Sequence, residues 1–174
     1  MSTALASLIA ACSPLVHPAT MQALISVESA GNPYAVSINR PSAWRRSGAE
    51  LPAFDQPRSE TQARDLVEAL SAAGYTTSVG LAQINTENLR GLRLSVSALL
   101  NPCVNLYVAQ QILVACDAST LPTRLAIPST HLHAVLSCFN SGNATTGIRN
   151  GYAGRVRSAA LLLATNPLNR RSDQ

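Results

Sequence analysis

A single carboxylate on an otherwise apolar helical stripe constrains this chain more than any other feature. Residues 18 to 30, PATMQALISVESA, place Met21, Leu24 and Ile25 at the i, i+3, i+4 spacing of an amphipathic helix. The next position on that stripe is Glu28. Pro18 suits the first turn of such a helix, where its missing N–H costs nothing. Gly31-Asn32-Pro33 then stops it, because Gly tolerates left-handed torsions and Pro cannot extend the hydrogen-bond ladder. A glutamate facing the core is costly when ionised, so folding is expected to raise its pKa and hold it protonated near neutrality, as a general acid requires. The competing reading is a carboxylate satisfied by backbone amides or an arginine, or one that looks out at the helix end. The helix by itself does not separate the two.

The rest of the chain reads as mainly helical. Ser59 and Gln62 have capping-box spacing ahead of a helix over 59 to 73 that buries Ala63, Leu66, Val67 and Leu70 and leaves Glu60, Asp65 and Glu68 in solvent. Asn101-Pro102 starts a helix to about residue 117, with Leu106, Ala109, Leu113 and Cys116 inward. Residues 131 to 140 and 152 to 164 are predicted helices, and 119 to 130, with two prolines, a loop. Residues 34 to 58, broken by Pro41, Pro52 and Pro57, suit a short hairpin or irregular excursion, and TTSVGLAQIN, 76 to 85, a strand or extended turn around Gly80. With 47% hydrophobic residues but only 4% aromatic, the core must come from Leu, Ile, Val and Ala, which suits packed helices. The expected architecture is α+β, mainly α: one domain over 1–165 and a frayed tail over 166–174.

Several functions are disfavoured by composition. The net charge of +4 would attract an anionic partner, yet Lys is absent and the Arg residues are scattered without interleaved aromatics, which argues against nucleic acid. No apolar run approaches the roughly 18 residues needed to span a bilayer. His17, His131 and His133 lack a nucleophile signature such as GxSxG, and His131 and His133, two apart on a helix, read as surface histidines rather than a metal pair. The N-terminal MSTALASLIAACSP resembles a lipoprotein signal ending at Cys12 but has no basic leader, so an ordinary first helix, or what a removed signal peptide leaves, is the reading. Cys12, Cys103, Cys116 and Cys138 have no CxxC spacing, leaving disulfides or buried thiols. Cys103 and Cys116 would lie about 19 Å apart along one helix and cannot bond to each other.

Five motifs in order, ESAGNP, GLAQIN, NPCVNL, SCFNSGN and GYAGRV, resemble the lytic transglycosylase domain that shares its core with goose-type lysozyme. The excursion between the first two, the CSP at Cys12 and the NPC at Cys103 are most similar to the specialised transglycosylases of type IV secretion and conjugation systems. The resemblance implies a lysozyme-like fold with Glu28 as the sole catalytic acid/base and Ser29 as the serine that follows it. It places Ser37 at a sugar-contacting position, Gly80, Leu81, Gln83 and Asn85 on the turn that lines the glycan cleft, Phe139 and Asn140 at the tyrosine-asparagine position, and Tyr152 at the start of the closing helix. Two positions depart from the pattern. Phe139 stands where the family has a tyrosine whose hydroxyl bonds the glutamate, and Ala82 where methionine is usual.

The implied reaction cleaves the bond between N-acetylmuramic acid and N-acetylglucosamine and closes a 1,6-anhydro ring, with no metal or cofactor. Most glycosidases need a second carboxylate; among the nine acidic residues here, Glu87 is the only rival. Ring closure from a hydroxyl of the same sugar exploits intramolecular effective molarity and removes that need. A hydrolytic muramidase and an inactive wall-binding or assembly module remain as alternatives. The implied partners are glycan strands and secretion-system proteins, and the implied place is the bacterial periplasm or envelope. Related enzymes carry cysteines near Cys12 and Cys103, which favours a bridge between those two and leaves Cys116 and Cys138 as a second pair.

Overall fold

A computed structural model describes residues 3–39, 51–121 and 128–165. Parts of the expected excursion (40–50) and loop (122–127), and the expected tail (166–174), lie outside those residues. The elements are α1 (Thr3–Cys12), α2 (Pro18–Ser29), β1 (Val36–Asn39), α3 (Glu60–Ala72), β2 (Thr76–Val79) and β3 (Ile84–Asn85). A single 3₁₀ turn (Thr86–Asn88) leads to α4 (Leu89–Leu92), α5 (Val96–Leu100), α6 (Pro102–Ser119), α7 (Pro128–Ser141), α8 (Thr146–Arg149) and α9 (Tyr152–Thr165). Helices dominate, with one small sheet, as the sequence led us to expect. No described helix is long and apolar enough to cross a membrane.

The chain divides into two compact units, Met1–Val27 with Leu106–Gln174, and Glu28–Asn105. In the first, Ala23, Leu136, Tyr152, Ala153 and Val156 form a buried cluster against which Val27, Phe139 and Leu163 pack. The inward positions expected for α6, Leu106, Ala109, Leu113 and Cys116, are all buried. In this unit α6 and α7 are cross-linked by a disulfide between Cys116 and Cys138. Cys12 and Cys103 are disulfide-bonded too, and no cysteine is free.

The second unit is built on a three-stranded antiparallel sheet in the order β1-β2-β3, with Val36 opposite Val79 and Val79 opposite Ile84. On the outer side of β1, Gln56 stands in for a further strand: its Oε1 accepts from Val36 N at 3.0 Å and its Nε2 donates to Val36 O at 2.9 Å. The side chain thus satisfies backbone groups that the edge strand would otherwise leave open. α3 begins as expected, with Ser59 Oγ accepting from Gln62 N at 3.3 Å, while the Gln62 side chain accepts from Arg58 N instead of closing the box on Ser59. Ala63, Val67 and Leu70 are buried and Glu60, Asp65 and Glu68 exposed.

Three expectations need correction. The helix expected over 131–140 begins three residues earlier, with Pro128 in the first turn, where proline costs no ladder bond. α4, α5 and α8, of four or five residues each, were not anticipated, being too short for a periodic pattern to register. His131 is not a surface histidine: it is buried, and its Nε2 lies 2.7 Å from Asp117 Oδ1 on α6. Residues two apart on a helix are turned by about 200°, so one can be buried while the other is not, and His133 is only half-buried.

Candidate active site

The stripe on α2 is real up to its last member. Met21, Leu24 and Ile25 are at most 1% exposed, whereas Glu28 is half-buried. The expectation of a carboxylate enclosed in the core is therefore corrected to one at its margin, because α2 ends one residue later and the packing that covers Leu24 does not continue past it. A carboxylate at a margin can meet a solute, which one sealed in the core could not.

The helix end beside Glu28 is held by its neighbour. Ala30 and Gly31 both take left-handed torsions, with φ of 51° and 85°, and turn the chain out of the helix. Ser29 Oγ accepts from Gly31 N at 3.2 Å and donates to Leu81 O at 2.8 Å. The residue after the carboxylate is thereby tied to the GLAQIN turn 52 positions later.

That turn, between β2 and β3, is irregular backbone whose polar groups are satisfied by side chains. Gly80 N donates to Ala35 O at 2.9 Å, and Gln83 N to Gly80 O at 3.2 Å. Gln83, itself left-handed at φ 49°, sends Nε2 to the carbonyls of Ala35 and Gly80, each at 3.0 Å. Its Oε1 accepts from Ser37 Oγ at 2.7 Å, on the exposed face of β1. Ser37 and Gln83, predicted separately, are thus one hydrogen-bonded pair.

Asn105 holds the turn from below and was missed as a site residue. Fully buried at the start of α6, it accepts from Ala82 N at 2.8 Å and donates to the carbonyls of Val79 and Leu99, each at 2.9 Å. The signal was present in NPCVNL, whose asparagine falls one turn into the helix that Asn101 caps through Cys103 N and Val104 N. The same residue explains Gly80: φ is 81°, and a Cβ there would collide with the Asn105 amide. Leu81 and Ala82 are buried under this arrangement, at 2% and 0% exposure.

Asn85 caps the 3₁₀ turn, its Oδ1 accepting from Glu87 N at 2.9 Å and its Nδ2 donating to Glu87 Oε2 at 3.3 Å. Glu87, the rival carboxylate, is exposed. It lines an open groove of about 810 Å³ with Glu68, Tyr75 and Thr86, and Glu28 is not among the lining residues.

In the other unit, Phe139 is half-buried against the cluster that contains Tyr152, and Asn140 is exposed. Asn140 Oδ1 accepts from Asn150 Nδ2 at 3.0 Å, and Asn150 Oδ1 caps α9 by accepting from Tyr152 N at 3.0 Å. Arg155 stacks over the Tyr152 ring at 5.8 Å from its centroid. Among the described residues no cluster of His, Cys, Asp and Glu could hold a metal ion.

Known proteins resemble this chain over most of its length. A family model described as the transglycosylase SLT domain matches residues 6–160. The type IV secretion system protein virB1 of Brucella abortus is 33% identical over 138 residues, covering 79% of this chain and 54% of that protein. Protein virB1 of Agrobacterium fabrum is 33% identical over 155 residues, covering 86% of this chain and 56% of its own length. The chain spans about half the length of the curated relatives it matches. No solved structure matches it.

Proposed function

The chain belongs to the transglycosylase SLT domain family, and from that premise we propose that it is a peptidoglycan lytic transglycosylase with Glu28 as its one acid/base. The observation that carries the reading is the tie from Ser29 to Leu81, which sets the end of α2 against the Gly80–Gln83 turn and leaves the adjacent carboxylate at the margin of the core. Protonated, Glu28 delivers a proton to the glycosidic oxygen leaving N-acetylmuramic acid. The acetamido carbonyl of the same sugar supports the developing cation. The carboxylate then takes the proton of the hydroxyl on carbon six as that oxygen closes the 1,6-anhydro ring, with no second carboxylate. In the second unit Ser37, Gln83 and Asn85 serve as sugar contacts; in the first Asn140 does so, and Tyr152, 2% exposed, acts through the cluster on which Phe139 packs.

Two disulfides suit an oxidising compartment. Together with relatives named for type IV secretion, they support action in the bacterial envelope, opening the wall locally for a secretion or conjugation apparatus. The test is mass spectrometry of digested sacculi: a transglycosylase releases products one water lighter than a muramidase does. Glu28→Gln is expected to lower turnover by about a thousandfold while leaving folding intact, since the amide fills the same space but moves no proton. An unchanged rate in that variant overturns the assignment. Phe139, which has no hydroxyl to offer the glutamate, favours one second reading, a wall-binding or assembly module; binding to sacculi without release of any product would establish it.

A further inference from the structure

Four consecutive residues near the end of α7, Ser137 to Asn140, are each held by a different part of the first unit. Successive residues on a helix are turned by about 100°, so four in a row look in four directions. Ser137, fully buried, donates through Oγ to Asn143 O and accepts from Gly147 N, both at 2.8 Å, which fixes the start of α8. Gly147 sits so close that an added Cβ would stand 2.6 Å from Ser137 Cα. Cys138 is bonded to Cys116 on α6, with 5.7 Å between the Cα atoms. Two turns earlier on α7, His131 meets Asp117, the residue after Cys116, so the two helices are joined twice. Phe139 packs on the cluster containing Tyr152, and Asn140 reaches the cap of α9 through Asn150.

The residues assigned to sugar binding in this unit therefore stand at the end of a chain of constraints whose one covalent member is the disulfide. We propose that the Cys116–Cys138 bridge and Asn150 are positioning elements for the glycan, so that oxidation of the two thiols raises affinity for the sugar. This inference rests on the transglycosylase reading for the roles of Phe139, Asn140 and Tyr152. Bridge formation removes two electrons and two protons from the thiol pair, which pass to a protein or small-molecule disulfide by thiol–disulfide exchange. Without the bridge α7 keeps its helix and its apolar face. What is lost is the setting of its last turn against α6, and Asn140, exposed and held by a single side chain, is the first to feel it.

The experiment compares wild type with C116A/C138A and with N150A. The steady-state constants on solubilised glycan strands, the affinity for a chitin pentasaccharide by calorimetry, and amide exchange over residues 137–152 are all measured. In C116A/C138A, KM is expected to rise about tenfold with kcat within about threefold, the pattern of lost binding. Amide exchange over 139–150 should accelerate about tenfold in the same variant. N150A, which keeps the bridge, should show a smaller rise in KM. A folded C116A/C138A protein with wild-type KM and wild-type pentasaccharide affinity would mean that the bridge only joins two helices, and overturns the proposal. If C116A/C138A does not fold, N150A decides, and an unchanged KM there overturns it equally. If wild type releases no product, the transglycosylase reading falls, while pentasaccharide affinity and amide exchange still decide the positioning role.

Discussion

The turn at Gly80–Gln83 and the elbow at Ser137–Tyr152 are both places where the chain is held still, and they are held by partly different means. The turn is irregular backbone, so its N–H and C=O groups lack ladder partners and must find them elsewhere. Ser29, Gln83 and Asn105 supply them through side-chain hydrogen bonds to the backbone of Leu81, Gly80, Ala82 and Val79. The elbow uses the same device where its helices break, with Ser137 bonded to Asn143 O and Gly147 N and Asn150 to Tyr152 N. It adds what the turn lacks, the packing of Phe139 and the cross-link of Cys138. Irregular backbone calls for amides and hydroxyls in both places, and helix against helix adds volume and a covalent tie.

The sharpest way to break that comparison is Asn105→Ala. It removes three buried hydrogen bonds to backbone groups, and at about 1–1.5 kcal/mol for each a loss of about 4 kcal/mol is expected in urea denaturation. A loss below about 1 kcal/mol would mean that the turn does not depend on side-chain partners. Next comes the elbow. Removing the Cys116–Cys138 bridge, which closes a loop with a sequence separation of 22, should cost about 3 kcal/mol by loop entropy. Calorimetry on C116A/C138A under non-reducing conditions checks this. The smallest effect is expected for Ser29→Ala, whose clamp to Leu81 is part-buried: about 1 kcal/mol of stability. Turnover should nevertheless fall about tenfold, because the freed helix end no longer presents Glu28 in one place. A stability loss without a rate loss would separate the clamp from the chemistry.

Much of the site is legible in the sequence. The serine after the glutamate, the glutamine of GLAQIN and the serine nine residues past Glu28 all stand out there, and the fold draws Ser29, Ser37 and Gln83 into contacts with the same turn or its flank. What escapes has one cause. Asn105 and Gln56 act on backbone 20 to 26 residues away, and a partner at that distance leaves no periodicity behind. Asn150 escapes for a related reason: a single asparagine in a turn is common, and only its contact with Asn140 distinguishes it. The buried His131 is misread from sequence because a polar residue on a helix is ordinarily solvated, and only the approach of Asp117 from α6 makes its burial tolerable.

The sequence by itself determined roughly where the longer helices run, that α2 stops at Gly31-Asn32-Pro33, and that Cys103 and Cys116 share a helix and cannot pair. Those are properties of neighbouring residues, set by spacing, capping and backbone torsions that act over a few positions. Only the tertiary structure decided that Glu28 stands at the margin of the core instead of within it, that Asn105 forbids a side chain at Gly80, and that Cys116 meets Cys138. Each of those depends on which distant segments pack together, and the free energy that selects the packing belongs to the whole core rather than to any stretch of it.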